Sequence, residues 1–280
     1  MEVVTTPAAL SAWSREQRTA SRRIALVPTM GALHDGHLAL VSCAHTHANT
    51  VAVSIFVNPL QFERGDDFDT YPRPIDDDLA RCQALGVDLV YAPVASTMYP
   101  PQFDTTVQPG RLADVLEGAR RPGHFLGVAT VVAKLLNAAR PDVAVFGQKD
   151  FQQLAVIRRM VADLDMPIDI IGMPTARDAD GVAMSSRNRR LTPAQRSAAV
   201  CVPNMLKAVR AACAGGLVDA NELLRIARAV VDTEPLARFE HLEFVHPHTL
   251  LPVEQVEAGT VAVTAVWFDD VRLIDNVTVG

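Results

Sequence analysis

The sequence predicts an α/β protein, a doubly wound parallel sheet followed by a smaller C-terminal α+β domain. Three observations carry that expectation. Short apolar runs rich in β-formers alternate with helical patterns as far as about residue 171, and such alternation buries a parallel sheet between two layers of helices. The run Ile24-Ala25-Leu26-Val27-Pro28-Thr29 passes through Gly31 and Gly36 into a helical stretch, giving strand, tight loop and helix in succession. Beyond about residue 177 the pattern changes to Ala- and Arg-rich amphipathic helices and three strand-like segments.

Length and charge narrow the class. A chain of 280 residues can bury a large core and is too long for one small domain. A net charge of -6 with a pI near 5.7 provides no basic field, which argues against nucleic acid as the main partner. Cys43, Cys82, Cys201 and Cys213 form no Cys-x-x-Cys pair, so neither a disulfide framework nor a cysteine metal site is expected. Met1 to Ser21 has no signal-like apolar core, and the apolar stretch 126–139 is short and interrupted by Lys134. A cytoplasmic protein without membrane contact is expected.

In chain order, strand 24–29 leads to a helix over 36–48 and a strand over 51–56. Further strands are expected at 87–91, 143–146 and 168–171, with helices near 75–85, 125–139 and 150–163. Ligands of such sheets bind beyond the carboxyl ends of the strands, so the polar residues there are the candidates.

After the first strand comes Met30-Gly31-Ala32-Leu33-His34-Asp35-Gly36-His37. A helix start offers unpaired N–H groups and the positive end of the dipole to a phosphate. Gly31 and Gly36 permit close backbone approach, and His34 and His37, three apart, project from one side of the turn. The glycine spacing is that of a Walker-type loop, but His37 and Leu38 stand where that loop needs Lys and Ser/Thr. What remains is the His-x-Gly-His pattern of nucleotidyltransferases, whose imidazoles donate to the α-phosphate.

The following loops extend the site. Gln61, in Val57-Asn58-Pro59-Leu60-Gln61-Phe62, offers an amide suited to a small hydroxy-acid. Asp66 to Arg73 reads as a solvated acidic loop or a lid, with charge favouring the former. Asp76, Asp77 and Asp78 open a helix as dipole partners, Asp77 being the candidate magnesium ligand. Arg120 to Phe125 could hold an anion, and His124 reads as a capping or packing residue. Lys149, one of three lysines in the chain, sits at a strand-to-helix turn where a compact ammonium would neutralise phosphate. Asp150 caps the next helix, and Gln153 lies one turn on. Ser185, Ser186 and Arg187 can grip triphosphate oxygens and stabilise departing pyrophosphate. In the C-terminal part, helices are expected over 192–214 and 219–233, the first opening on Thr192-Pro193, with strands at 242–245, 261–266 and 273–277.

Four motifs, Pro28 to His37, Phe56 to Phe62, Phe146 to Asp150 and Met184 to Asn188, together resemble the pantothenate synthetase (pantoate-β-alanine ligase) family, in family order. The resemblance implies a Rossmann-like domain over 1–177 that binds ATP and pantoate, and a C-terminal domain over 178–280 carrying the Met-Ser-Ser-Arg loop. It places the chain beside class I aminoacyl-tRNA synthetases, with Met184 to Asn188 where those carry their Lys-Met-Ser-Lys-Ser loop. The implied reaction adenylates (R)-pantoate with ATP, releases pyrophosphate, and lets the amine of β-alanine displace AMP.

The resemblance implies ATP contacts from Met30, Gly31, His34, His37, Gly147, Lys149, Asp150, Ala176, Met184, Ser185, Ser186 and Arg187. His37 would be the proton donor, and His34 and Lys149 would stabilise the α-phosphate. Gln61 and Gln153 would hold pantoate, with Gln61 also near β-alanine. ATP with Mg²⁺ is expected as substrate, with no tightly bound organic cofactor, in a homodimer. Two departures bear on the metal: Gln148 stands where many members have Glu, and Arg81 where some have a neutral side chain. Two other readings are a different His-x-Gly-His nucleotidyltransferase and an inactive ATP-binding module. Pyrophosphate release separates them: the ligase needs pantoate, the transferase a phosphorylated acceptor, and the module releases none.

Overall fold

The computed structural model describes residues 1–62 and 68–280 and divides them into two compact units. The first comprises Met1–Gln148 with Gln152–Pro174, and the second Lys149–Phe151 with Thr175–Gly280.

The first unit holds β1 (Glu2–Val4), α1 (Pro7–Thr19), β2 (Ile24–Thr29), α2 (Asp35–His47), β3 (Thr50–Ile55), α3 (Ile75–Ala84) and β4 (Leu89–Tyr91). It continues with α4 (Ala95–Met98), α5 (Glu117–Arg120), α6 (His124–Ala139), β5 (Val143–Gly147), α7 (Phe151–Asp163) and β6 (Asp169–Met173). The six strands run parallel in the order β1-β4-β3-β2-β5-β6.

Alternation along each strand decides which layer it meets. In β2, Ile24 and Leu26 pack into a cluster with residues of α1, α6 and α7, whereas Ala25 and Val27 join the α2 and α3 side. All four are fully buried, and a strand covered on both faces needs such a continuous apolar run. Burial of a side chain the size of Leu26 is worth about 1.5–3 kcal/mol. Because β3 and β5 flank β2 on opposite sides, the chain switches direction there, and the loops after β2 and β5 open at the crevice where such sheets bind ligands.

The expected strands and helices of this unit are present, with ends shifted by a residue or two. The N-terminal β1 and α1 are additional. Three residues pairing with β4 leave no periodic signal. Helix α1, by contrast, begins with Thr6 accepting the Ala9 N–H at 3.2 Å and with Pro7 in its first turn, the same cap-and-proline signature as Thr192-Pro193.

The second unit contains α8 (Pro193–Ala198), α9 (Cys201–Ala214), α10 (Ala220–Val231) and an antiparallel sheet of β7 (Arg238–Val245), β8 (Val261–Phe268) and β9 (Val271–Thr278). The single helix expected over 192–214 is two. Pro203 has no N–H to donate back to Ala199, and its ring crowds that carbonyl, so the chain breaks at Ala199-Val200. Helices α9 and α10 bury Met205, Leu206, Val209, Leu223, Ala227 and Val231 in the core of this unit. Among the described residues, no helix is long and apolar enough to cross a membrane.

Candidate active site

The loop after β2 is organised by a carboxylate from another helix. Asp78, 1% exposed on α3, accepts the Ala32 N–H at 2.8 Å and the Leu33 N–H at 2.7 Å. The Gly31 N–H donates to Thr29 Oγ1 at 3.1 Å, and that hydroxyl donates to the Ser54 carbonyl at 2.8 Å. Gly31 has φ +80°, and a Cβ there would lie 2.9 Å from Asp78 Oδ2 and 3.0 Å from Ile55 Cγ2. Glycine at 31 therefore admits Asp78. The N–H groups of Gly31, Ala32 and Leu33 all donate to protein oxygens, which fixes the turn ahead of α2.

The imidazoles occupy the helix start. His34 is the N-cap of α2, and its Nδ1 accepts the Gly36 N–H at 3.2 Å. His37 Nδ1 accepts the His34 N–H at 3.3 Å, and the ring centroids are 4.1 Å apart. A backbone N–H can only donate, so each Nδ1 is an acceptor and each neutral ring carries its proton on Nε2. The reciprocal cap thus fixes both rings as Nε2–H donors, side by side.

A second wall follows β3. Asn58 donates from Nδ2 to Gln61 Oε1 and to the Gly127 carbonyl, both at 3.1 Å. Its Oδ1 accepts the Tyr99 hydroxyl at 2.7 Å and the Leu60 N–H at 3.3 Å. Asn58 is thereby held in one orientation, which directs the buried Gln61 to present its Nε2 donors; these reach Met30 Sδ at 3.1 Å. His124 Nδ1 lies 2.9 Å from the Gln61 carbonyl, which also accepts from Arg121 Nη2 at 3.3 Å. Gly127 allows α6 to pass the turn 59–61, since a Cβ there would meet the Leu60 carbonyl at 2.2 Å.

On α7 the adjacent glutamines separate. Gln152 is buried, donates to the Leu112 and Val115 carbonyls and accepts the Glu117 N–H. Gln153 is half-buried, and its amide has no hydrogen-bond partner among the described residues.

Within the second unit, Arg177 forms a two-pronged pair with the buried Asp275 at 2.6 and 2.9 Å and donates to the Gly181 carbonyl. The Met184 N–H returns to the Ala176 carbonyl at 2.9 Å, closing a hairpin. Ser185 Oγ then accepts the Arg187 N–H at 3.2 Å and starts a short 3-10 turn, Ser186–Arg190. The Lys149 carbonyl accepts Asn276 Nδ2, and its Nζ lies 3.8 Å from Asp150. Lys149, Ser185 and Arg187 line one cavity of about 10 Å³ with Asn188 and Arg272, room for a single water. Three expected phosphate ligands from two distant stretches of sequence thus meet, while His34, His37, Gln61 and Gln153 belong to the first unit.

Comparison with known proteins identifies the family. The family model described as pantoate-beta-alanine ligase matches residues 2–278. This chain belongs to the pantoate-β-alanine ligase family. Pantothenate synthetase from Geotalea daltonii is 47% identical over 280 residues, covering 100% of this chain and 99% of that protein. Pantothenate synthetase 1 from Bradyrhizobium diazoefficiens is 48% identical over 281 residues, covering 100% and 99%. Among solved structures, the enzyme from Thermus thermophilus superposes with a TM-score of 0.94 at 46% identity, covering 99% of each chain. The ligase from Francisella tularensis, complexed with β,γ-ATP and β-alanine, gives 0.82 at 31% identity, covering 99% and 97%.

The two positions expected to depart from the family each have a local partner. Gln148 donates from Nε2 to the Gly172 carbonyl at 3.2 Å, a bond a carboxylate could not make. Arg81 Nη1 lies 4.0 Å from Asp35 Oδ1, a contact between exposed side chains. Asp77 is exposed, and among the described residues no group of three or more His, Cys, Asp or Glu is arranged to hold a metal. Asp66 and Asp67, part of the acidic loop considered above, lie outside the described residues. Its remainder is drawn together by Arg73, which donates to the Phe68, Asp69 and Tyr71 carbonyls.

The sequence reading missed Asp78, Asn58 and Tyr99. Asp78 carries no signal beyond its place in an acidic triplet. Asn58-Pro59 is a recognisable cap and turn pair, which could have singled out Asn58. Tyr99 lies 41 positions from its partner, beyond the reach of any local pattern.

Proposed function

We propose that this ligase condenses (R)-pantoate with β-alanine through a pantoyl-adenylate. A pantoate carboxylate oxygen attacks the α-phosphorus of ATP, and the bond to pyrophosphate breaks. The amine of β-alanine then attacks the acyl carbon, AMP leaves, and the amine proton is lost to give pantothenate. A carboxylate is a poor acyl donor, and adenylation supplies the leaving group.

In this reading the Nε2–H groups of His34 and His37, with the ammonium of Lys149, stabilise charge on the α-phosphate. His37 acts by donating a hydrogen bond from Nε2. Ser185, Ser186 and Arg187 hold the phosphates that depart as pyrophosphate. Met30, Gly31, Gly147, Asp150, Ala176 and Met184 complete the nucleotide site, and the Nε2 donors of Gln61 and the amide of Gln153 hold pantoate. Residues 1–177 form the nucleotide- and pantoate-binding domain, and 178–280 supply the Met-Ser-Ser-Arg loop. Magnesium enters on ATP as part of the substrate; Asp77, one of three acidic side chains in the first turn of α3, is offered to it. The working form is a cytoplasmic homodimer.

The observation that carries this reading is the imidazole pair, whose rings are both oriented by backbone N–H groups to donate from Nε2. The test is mass identification of products. ATP and pantoate should release pyrophosphate, with AMP and pantothenate forming only after β-alanine is added. Release that requires a phosphorylated acceptor, or none at all, overturns the proposal.

A further inference from the structure

Lys149 does not stay with the strand that precedes it. It lies in the turn Gln148–Asp150 between β5 and α7, yet Lys149–Phe151 belong to the second unit while β5 and the rest of α7 belong to the first. Within the second unit its partner is on β9: Asn276 Nδ2 donates to the Lys149 carbonyl at 2.9 Å, across 127 residues of sequence. A carbonyl only accepts, so the Asn276 amide is turned with its NH₂ group toward Lys149.

The neighbouring residue holds the loop on the other side of the phosphate cavity. Successive residues of a strand face opposite ways, and in β9 Asp275 is buried while Asn276 is half-buried. Asp275 takes both prongs of Arg177 and accepts the Asn276 N–H at 2.8 Å, and Arg177 Nη2 also reaches the Asn276 carbonyl at 3.4 Å. Arg177 in turn pairs with Ala183 across the hairpin that leads into Met184 and Ser185. Two adjacent residues of one strand therefore hold the main chain of Lys149 and the approach to Ser185 and Arg187, and Lys149, Ser185, Arg187 and Asp275 line one cavity.

We infer that Asn276 is a positioning residue of the ligase reaction: by holding the Lys149 carbonyl it fixes where the Lys149 side chain starts, relative to the loop that Asp275 holds through Arg177. The inference rests on the part given above to Lys149 at the α-phosphate. An ammonium on a flexible four-carbon stem is placed only as well as its main chain is, and a misplacement of about 1 Å costs on the order of a hundredfold in rate.

Single-turnover release of pyrophosphate from ATP and pantoate tests it. Asn276→Ala should slow release about ten- to a hundredfold. Asn276→Asp, which keeps the shape but sets a carboxylate oxygen against the carbonyl, should slow it at least as much. In Lys149→Ala the backbone carbonyl and its bond to Asn276 persist, so adding Asn276→Ala there should change the rate less than about twofold. A merely structural asparagine would cost the same in both backgrounds. A second readout needs no turnover and only one of the two Asn276 variants to fold. The chain has three lysines, Lys134, Lys149 and Lys207, so full-length protein labelled with ¹³Cε-lysine gives three signals, and Lys149→Arg assigns one. Saturating α,β-methylene-ATP should shift the Lys149 signal in the unaltered protein, and most of that shift should be lost in Asn276→Ala and Asn276→Asp. A Lys149 signal that the analogue leaves unmoved in the unaltered protein overturns the part given to Lys149 and the inference with it. An undiminished shift in an Asn276 variant, an unslowed Asn276 variant, or equal slowing in both backgrounds overturns the inference alone.

Discussion

Asp78 Oδ2 accepts the Ala32 N–H at 2.8 Å across 46 residues of sequence, and this contact sets the path of the loop that carries both histidines. The Asp78 carboxylate holds two consecutive amides, so one side chain on α3 fixes the turn ahead of α2. Asp78→Asn keeps the size but turns an NH₂ group toward one of those donors. Loss of about 1–3 kcal/mol of stability is expected, together with slower pyrophosphate release. Thermal unfolding and a pyrophosphate assay check both, and a variant of unchanged stability would remove Asp78 from this role.

The reciprocal cap predicts a tautomer. In ¹⁵N-histidine spectra above the imidazole titration, His34 and His37 should each show an unprotonated Nδ1 and a protonated Nε2. A protonated Nδ1 at either position would contradict the geometry.

Removing one preorganised donor should cost about 10²–10³ in the adenylation rate. His37→Ala and Lys149→Ala are each expected to show that loss in single-turnover pyrophosphate release while retaining a cooperative thermal transition. Normal turnover in either variant would refute its assigned part.

Gln61 faces the site with donors because Asn58 occupies its oxygen. Gln61→Glu therefore replaces donors with a charge that repels a carboxylate, whereas Gln61→Ala merely removes them. Pantoate affinity should fall in both, further in the Glu variant, with ATP affinity little changed. Isothermal titration distinguishes this order from its reverse.

Glu240 gives an acid-stability test remote from catalysis. Burial alone would raise its carboxyl, but hydrogen bonds and charge from Arg272, with a bond from the Trp267 indole, bring it down from 4.5 to about 2. A carboxylate depressed on folding stabilises above its unfolded value, and that contribution is lost as pH falls from about 4.5 toward 2. Melting temperatures across this window should fall less steeply in Glu240→Gln than in the unaltered chain.

Much of the fold was legible because its signals are local. Leu26 and Val27 announce a strand buried on both faces, Thr192-Pro193 a helix start, and the interruption at Pro203 was also written there, though the reading passed over it. Candidate site residues stood out where loops carry unusual side chains, as at His34, His37, Lys149 and Ser185. Lys149, dozens of residues before Ser185 and Arg187, does line a common cavity with them.

Sequence by itself determined the parallel α/β sheet, a C-terminal α+β domain with three strands and the family, because hydrophobic period, caps and loop motifs are properties of neighbouring residues. Tertiary structure alone decided that Asp78 shapes the histidine loop and that Asn58 and Tyr99 orient Gln61. Those outcomes depend on which atoms long-range packing brings within 3 Å, and a directional hydrogen bond across tens of residues leaves no periodic trace in the chain.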